Sequence, residues 1–193
     1  MKGLALLALG AVLAAPVVAG LAQVGPAKAQ PSGYSKAQVE RGGYLVAIAS
    51  CNDCHTPLKM GPNGPEPDMS RMLSGHPQDA IVKAPAMLSP PWLGAASNTM
   101  TAWSGPWGVS FTANLTPDKE TGVLEGYTEK QFIQAMRTGR HQGMGRPILP
   151  PMPWNWIGKM SDEDLRSVFA YLRQIPPVRN RVPDNIPPAP PPS

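Results

Sequence analysis

An all-α domain is what this sequence predicts, on three observations. Three stretches carry apolar residues at helical spacing and are closed by recognisable caps, at residues 35 to 50, 128 to 139 and 161 to 172. A fourth, Cys51-Asn52-Asp53-Cys54-His55, sets two cysteines three residues apart, the spacing that puts both on one face of a helical turn. The long segment from 57 to 113 lacks clear periodicity and reads as a loop insertion between that motif and the second long helix.

Taken in order, residues 1–29 read as an export signal. Met1-Lys2 supplies a positive end, Leu4 to Leu21 an apolar stretch interrupted by Pro16, and Ala27-Lys28-Ala29 an A-x-A cleavage site. An uncleaved anchor is the alternative, because the apolar run approaches bilayer length. Either outcome places the remainder outside the cytoplasm, and the style of the signal suggests a Gram-negative periplasm. The first helix follows, with Ser35 as N-cap and Val39, Leu45, Val46 and Ile48 as its apolar stripe. Gly42 and Gly43 each cost about 1 kcal/mol in a helix interior. Close approach of a second helix would explain them.

That helix runs into C-x-x-C-H, the attachment signature of a c-type haem. Cys51 and Cys54 can form thioethers with two vinyl groups of one porphyrin, and His55 can offer a ring nitrogen to the iron. Zinc fits poorly, since a structural site wants four Cys or His ligands and this chain has two cysteines, with His76 and His141 remote in sequence. A thioredoxin-like pair expects a preceding strand, which the flanking pattern lacks. Assembly of c-type haem on the outer side of the membrane agrees with the export signal.

Residues 57 to 113 are expected to wrap the haem or cover a face of the core. Met60, Met69, Met72, Met87 and Met100 read as packing against the porphyrin and tryptophans rather than as copper ligands, and Trp92, Trp103 and Trp107 as core or haem-pocket walls rather than a binding platform. Asn114 to Asp118 with Thr121-Gly122 reads as a tight turn whose side-chain oxygens bond nearby backbone or a propionate. The helix after it opens with Thr128 and Gln131 as a capping box and closes at Gly139. Arg137, Arg140 and Arg146 gather near its end, available to propionates, to a docking partner or to solvent. The last helix has Ser161 as N-cap, three acids in its first turn, and Leu165, Val168, Phe169 and Leu172 on one face. Pro176-Pro177 stops it. The domain is thus read as 30–182, with a proline-rich tail at 183–193, extended or disordered.

The second axial position decides between electron carrier and catalyst. Met160 has a structural place beside the N-cap, and Met144 lies between two flexible glycines. Met152 stands in Pro150-Pro151-Met152-Pro153-Trp154, where prolines restrict the backbone in advance. It is preferred, with Met144, His141 and an open site as the alternatives.

Composition fits this picture. Among 193 residues, 25 prolines and 19 glycines favour ordered loops, while 42% hydrophobic residues suffice for one core completed by a large group. Removing Lys2 and Lys28 from the 17 basic residues leaves 15 against 13 acidic ones, a net +2. With no concentrated basic stripe, nucleic-acid binding has no support.

The chain resembles the class I cytochromes c, and most of all the periplasmic cytochromes that accompany bacterial dehydrogenases. The matching stretches are Arg41 to Leu45, Cys51 to Pro57, Asn114 to Asp118 with Thr121-Gly122, Pro150 to Trp154, and Met160 to Leu172. The resemblance implies an all-helical fold around one covalently attached haem c, with thioethers at Cys51 and Cys54 and axial ligands His55 and Met152. It also implies one-electron transfer without catalytic residues, between a dehydrogenase and an oxidase or another cytochrome. Membrane association would come only through an uncleaved N-terminus or a complex. The alternative is a haem enzyme or gas sensor with an exchangeable distal ligand, for which His76, His141 or Arg146 would act on the bound molecule.

Overall fold

The structure is a computed structural model and describes residues 33–83 and 88–188. The export signal, Met87 and the last five residues of the tail lie outside the described residues. Among the described residues no helix is long and apolar enough to cross a membrane.

The helical frame follows the sequence closely. Helix α1 spans Lys36–Ile48 and is capped by the Ser35 side chain, which accepts from Gln38 N at 3.2 Å. Helix α2 is the single turn Cys51–His55. Helix α3, Glu129–Thr138, has both halves of the Thr128/Gln131 capping box and ends at Gly139, whose φ of +66° is the left-handed cap glycine accepts without a Cβ clash. Helix α4 is the short Trp154–Ile157. Helix α5, Asp162–Leu172, starts at Ser161, which accepts from Asp164 N at 3.0 Å.

The core lies where α1, α3 and α5 meet. Leu45, Val46, Phe132, Ile133, Met136, Leu165, Val168, Phe169 and Leu172 are buried in one cluster, with the Phe132 and Phe169 rings 5.4 Å apart. Gly42 and Gly43 are explained by the crossing of α1 over α5. A Cβ on Gly42 would overlap the Ser167 carbonyl, whereas one on Gly43 would meet only the Tyr171 ring at 3.0 Å. An ion pair from Arg41 to Asp164 at 2.9 Å flanks the crossing, and one from Arg166 to Glu129 at 3.0 Å ties α5 to α3.

The expectation of an all-α fold is overturned by the segment from 57 to 113, which is partly strand; the fold is mixed α/β. Strands β1 (Leu58–Gly61) and β2 (Gly64–Pro67) form an antiparallel hairpin, and β3 (Ala95–Ala96), β4 (Ala102–Gly105) and β5 (Gly108–Phe111) form an antiparallel sheet in that order. With two to four residues each, the strands are too short for alternation to be read above noise. Their turns do carry a signal. Gly61-Pro62-Asn63-Gly64 and Gly105-Pro106-Trp107-Gly108 share one pattern, with proline presetting φ at the second position and glycine taking φ of +119° and +91° at the fourth.

The C-terminal segment is strapped across this sheet by asparagines. Ile186 and Val109 exchange backbone hydrogen bonds at 2.8 and 3.0 Å, and Phe111 N donates to Asn185 Oδ1 at 3.1 Å. Asn180 is fully buried, donating to Ser74 O and His76 O at 2.7 and 2.8 Å. The Asn114 to Gly122 turn serves the same strap. Asn114 Nδ2 donates to Val178 O at 2.8 Å, and Asp118 accepts from the backbone and hydroxyl of Thr121 at 2.9 and 2.6 Å.

The crossing of α1 and α5 makes an asymmetric prediction. Gly42→Ala forces two backbones apart and should destabilise the domain by about 3 kcal/mol, at the upper end of overpacking costs. Gly43→Ala, opposed by a rotatable ring, should cost about 1 kcal/mol or less. Urea unfolding of the two variants measures the difference.

Candidate haem site

Helix α2 is set at an angle to α1 by Ser50, a non-glycine residue at φ +55°. Within it, Asn52 Oδ1 accepts from Thr56 Oγ1 at 2.9 Å, and the same oxygen of Thr56 accepts from Leu73 N at 2.9 Å. The turn is therefore tied to the inserted segment directly beyond it. Gly75 N donates to His55 O at 2.8 Å, and Gly75 needs its φ of +76° because a Cβ there would run into the backbone of Thr112 and Ala113.

Four residues singled out from sequence, Cys51, Cys54, His55 and Met152, line one cavity of about 310 Å³, within the size range of small-molecule and cofactor sites. Its remaining wall comes largely from Ser110 to Ala113 at the end of β5 and from Ile148 to Pro153 before α4. His141 and Arg146 also reach it. Other sequence candidates lie elsewhere. Met144 is 86% exposed, Met160 packs against the core, and His76 is only 1% exposed, away from the cavity wall. Trp92, Trp103 and Trp107, read as core or pocket walls, do not line the cavity; Trp92 is exposed and Trp103 and Trp107 are half-buried. Met69 is exposed while Met72 packs on the core.

The electrostatics suit a neutral nitrogen donor. His55 Nδ1 lies 2.8 Å from Ala113 O, and because a carbonyl can only accept, Nδ1 carries the proton and Nε2 keeps its lone pair. Burial lowers the affinity of His55 for a second proton, opposed in part by the same hydrogen bond. The two cysteines are free thiols. Burial pushes Cys51 up to about 11, and burial followed by the Asp53 charge raises Cys54 as well. A reactive redox dithiol is favoured by the opposite shift. Among the described residues no group of three His, Cys, Asp or Glu is placed to hold a metal ion between them.

The arginines separate into distinct roles. Arg137 donates to Gly158 O and pairs with Asp162 at 2.6 Å, and Arg140 donates to Gly145 O at 3.1 Å. Arg146 alone of the three lines the cavity. A polar niche of about 190 Å³ adjoins on that side, sharing Arg146, Phe111, Ala113 and Asn185 with the cavity and adding Arg181. Ser110 and Ala113 are site residues that sequence reading missed. A backbone carbonyl such as that of Ala113 carries no signal in residue type, and the only available pointer was the Gly-Pro-x-Gly turn preceding them.

No family model matches the chain. Similar proteins belong to bacterial dehydrogenases. The fructose dehydrogenase cytochrome subunit of Gluconobacter japonicus is 28% identical over 76% of this chain and 23% of its own length. The cytochrome c subunit of a quinone-dependent alcohol dehydrogenase from Gluconobacter oxydans is 28% identical over 86% of this chain and 28% of its own. A nicotinate dehydrogenase polypeptide of Pseudomonas putida is 28% identical over 79% of this chain and 10% of its own. The chain thus spans little more than a quarter, at most, of these relatives. The first two are cytochrome subunits by name, and the similarity reaches this chain over most of its length.

His76 offers a test of the inserted segment apart from the cavity. Its Nε2 donates to Ala80 O at 2.6 Å, leaving Nδ1 to accept from Thr101 Oγ1 at 3.0 Å. Burial holds its pKa below the ordinary value, opposed by the Ala80 bond and Asp79 and assisted by Arg71. The unfolded chain therefore takes up this proton first. Stability is complete above about pH 6.5 and falls as the pH drops from there toward the folded pKa. Urea midpoints measured at neutral and mildly acidic pH should fall less in His76→Gln than in the parent.

Proposed function

We propose that this chain is an exported c-type cytochrome that carries single electrons between a dehydrogenase and a terminal oxidase or another cytochrome. The observation that supports the reading best is the convergence of Cys51, Cys54, His55 and Met152 on one cavity. The donor set fits haem c: two protonated thiols three residues apart, a neutral imidazole with a free Nε2, and a thioether. Bound there, the group would supply an iron centre that exchanges one electron.

The chain's own residues would do the rest. Cys51 and Cys54 would hold the porphyrin through thioethers. Ala113 O would orient His55 and strengthen its donor nitrogen, as carbonyl partners of ligating histidines do. Met152 would supply a second, sulfur ligand, which raises the reduction potential relative to a second histidine. Arg146 would face the propionates, with the adjoining niche and Arg181 giving their charge an outlet toward solvent. The similarity to dehydrogenase cytochrome subunits supports a dehydrogenase as electron donor.

A second reading, a haem enzyme or gas sensor with an exchangeable distal ligand, draws on one observation. His141 lines the same cavity as Met152, beside Arg146, although His76, its other proposed group, does not.

Expressed with a haem-maturation system, the protein should be red and retain haem stain on a denaturing gel. Cys51→Ser combined with Cys54→Ser should lose the stain. Met152→Ala should keep it but lose the weak far-red absorption that a thioether gives ferric haem, and its reduced form should bind carbon monoxide at least about tenfold more readily, one axial bond having been removed. Ready carbon monoxide binding by the parent would favour the second reading, and a colourless parent would rule out both.

A further inference from the structure

A side chain of β5 bonds the inserted sheet to the Met152 loop. Residues 150, 151 and 153 are prolines, so three of the four positions around Met152 lack a backbone donor. The turn bond within the loop, Met152 N to Leu149 O at 3.3 Å, is internal and ties it to nothing outside. The Ser110 hydroxyl, on β5, donates to Pro150 O and so joins the loop to the sheet. Ser110 is 7% exposed, and its side chain lies within reach of a second acceptor, Trp103 O, only at 3.3 Å.

We propose that Ser110 is a positioning residue for the Met152 side of the site, holding the proline-flanked loop against the end of β5. This rests on the reading of Met152 as an axial ligand and adds to it a role for the inserted sheet. Three residues beyond Ser110, Ala113 O fixes His55. One short segment, Ser110 to Ala113, thereby bonds both His55 and the Met152 loop. A strand held in a sheet is a stiffer reference than a loop, and β5 is held on one edge by β4 and on the other by Ile186. Proline restriction narrows the conformations of the Met152 loop and core packing of Ile148 and Met152 seats it on the helices; the hydroxyl ties it to the sheet.

The test is the rate at which cyanide enters the oxidised holoprotein, since entry requires the Met152 loop to release its axial position. Ser110→Ala should speed entry about tenfold, the worth of one buried hydrogen bond, while keeping haem stain. Ser110→Thr, which retains the hydroxyl on a β-compatible residue, should stay within about twofold of the parent, the scale of a small side-chain change. A general loss of packing would instead lower the thermal midpoint in both variants and accelerate both equally. Should Ser110→Ala not be recovered as coloured protein, Ser110→Cys, a weaker donor of similar volume, carries the same comparison. Unchanged cyanide entry in a coloured Ser110→Ala or Ser110→Cys protein overturns the proposal, as does equal acceleration in Ser110→Thr. A parent that is colourless, or whose far-red absorption survives Met152→Ala, removes the axial reading itself.

Discussion

The hydrogen bond from His55 Nδ1 to the Ala113 carbonyl is the constraint on which the site depends. It fixes the tautomer, leaves Nε2 with its lone pair, and joins the end of helix α2 to a residue 58 positions later. Burial alone would leave the ring free to rotate and to choose either nitrogen. Because the acceptor is main chain, its position is set by everything that sets the backbone near β5: the pairing with β4, the Gly75 approach to Thr112 and Ala113, and the Asn185 cap on Phe111.

This gives the long insertion a physical purpose. Its strands are short and could not stand alone. They are held by what they touch: Thr56 Oγ1 receiving Leu73 N, His76 bonded at both ring nitrogens, and Asn180 bridging to Ser74 and His76 from the far end of the chain. The asparagine strap compensates for a sheet with little apolar area of its own. Its side chains satisfy backbone carbonyls that would otherwise be buried without donors.

The helical part works on different physics. Packing of α1, α3 and α5 depends on a close crossing at Gly42, on capping that satisfies the orphan N–H groups of α3 and α5, and on an apolar cluster that backs the cavity wall without filling it. Helices thus provide the cluster against which Met152 and Ile157 rest, and the sheet provides the polar fixings.

Local chemistry was legible from residue order. The caps at Ser35, Thr128 and Ser161, the stop at Gly139, the shared face of Cys51 and Cys54, and a close helical approach at Gly42 and Gly43 all follow from spacings of a few residues. The sheets were not legible, because strands of two to four residues rich in glycine, alanine and serine produce no alternation to detect. Residue order preferred Met152 over Met144, Met160 and His141 on proline restriction, but it could not show which of them reach one cavity. Tertiary contacts expose Met144, pack Met160 on the core, and bring both Met152 and His141 to the wall. What residue order determined by itself is the chemistry of the donors, since that is a property of side chains and their immediate neighbours. What only the tertiary structure decided is how those donors are aimed, because the atoms that aim them, the carbonyl of Ala113 and the hydroxyl of Ser110, come from a remote segment and act through position.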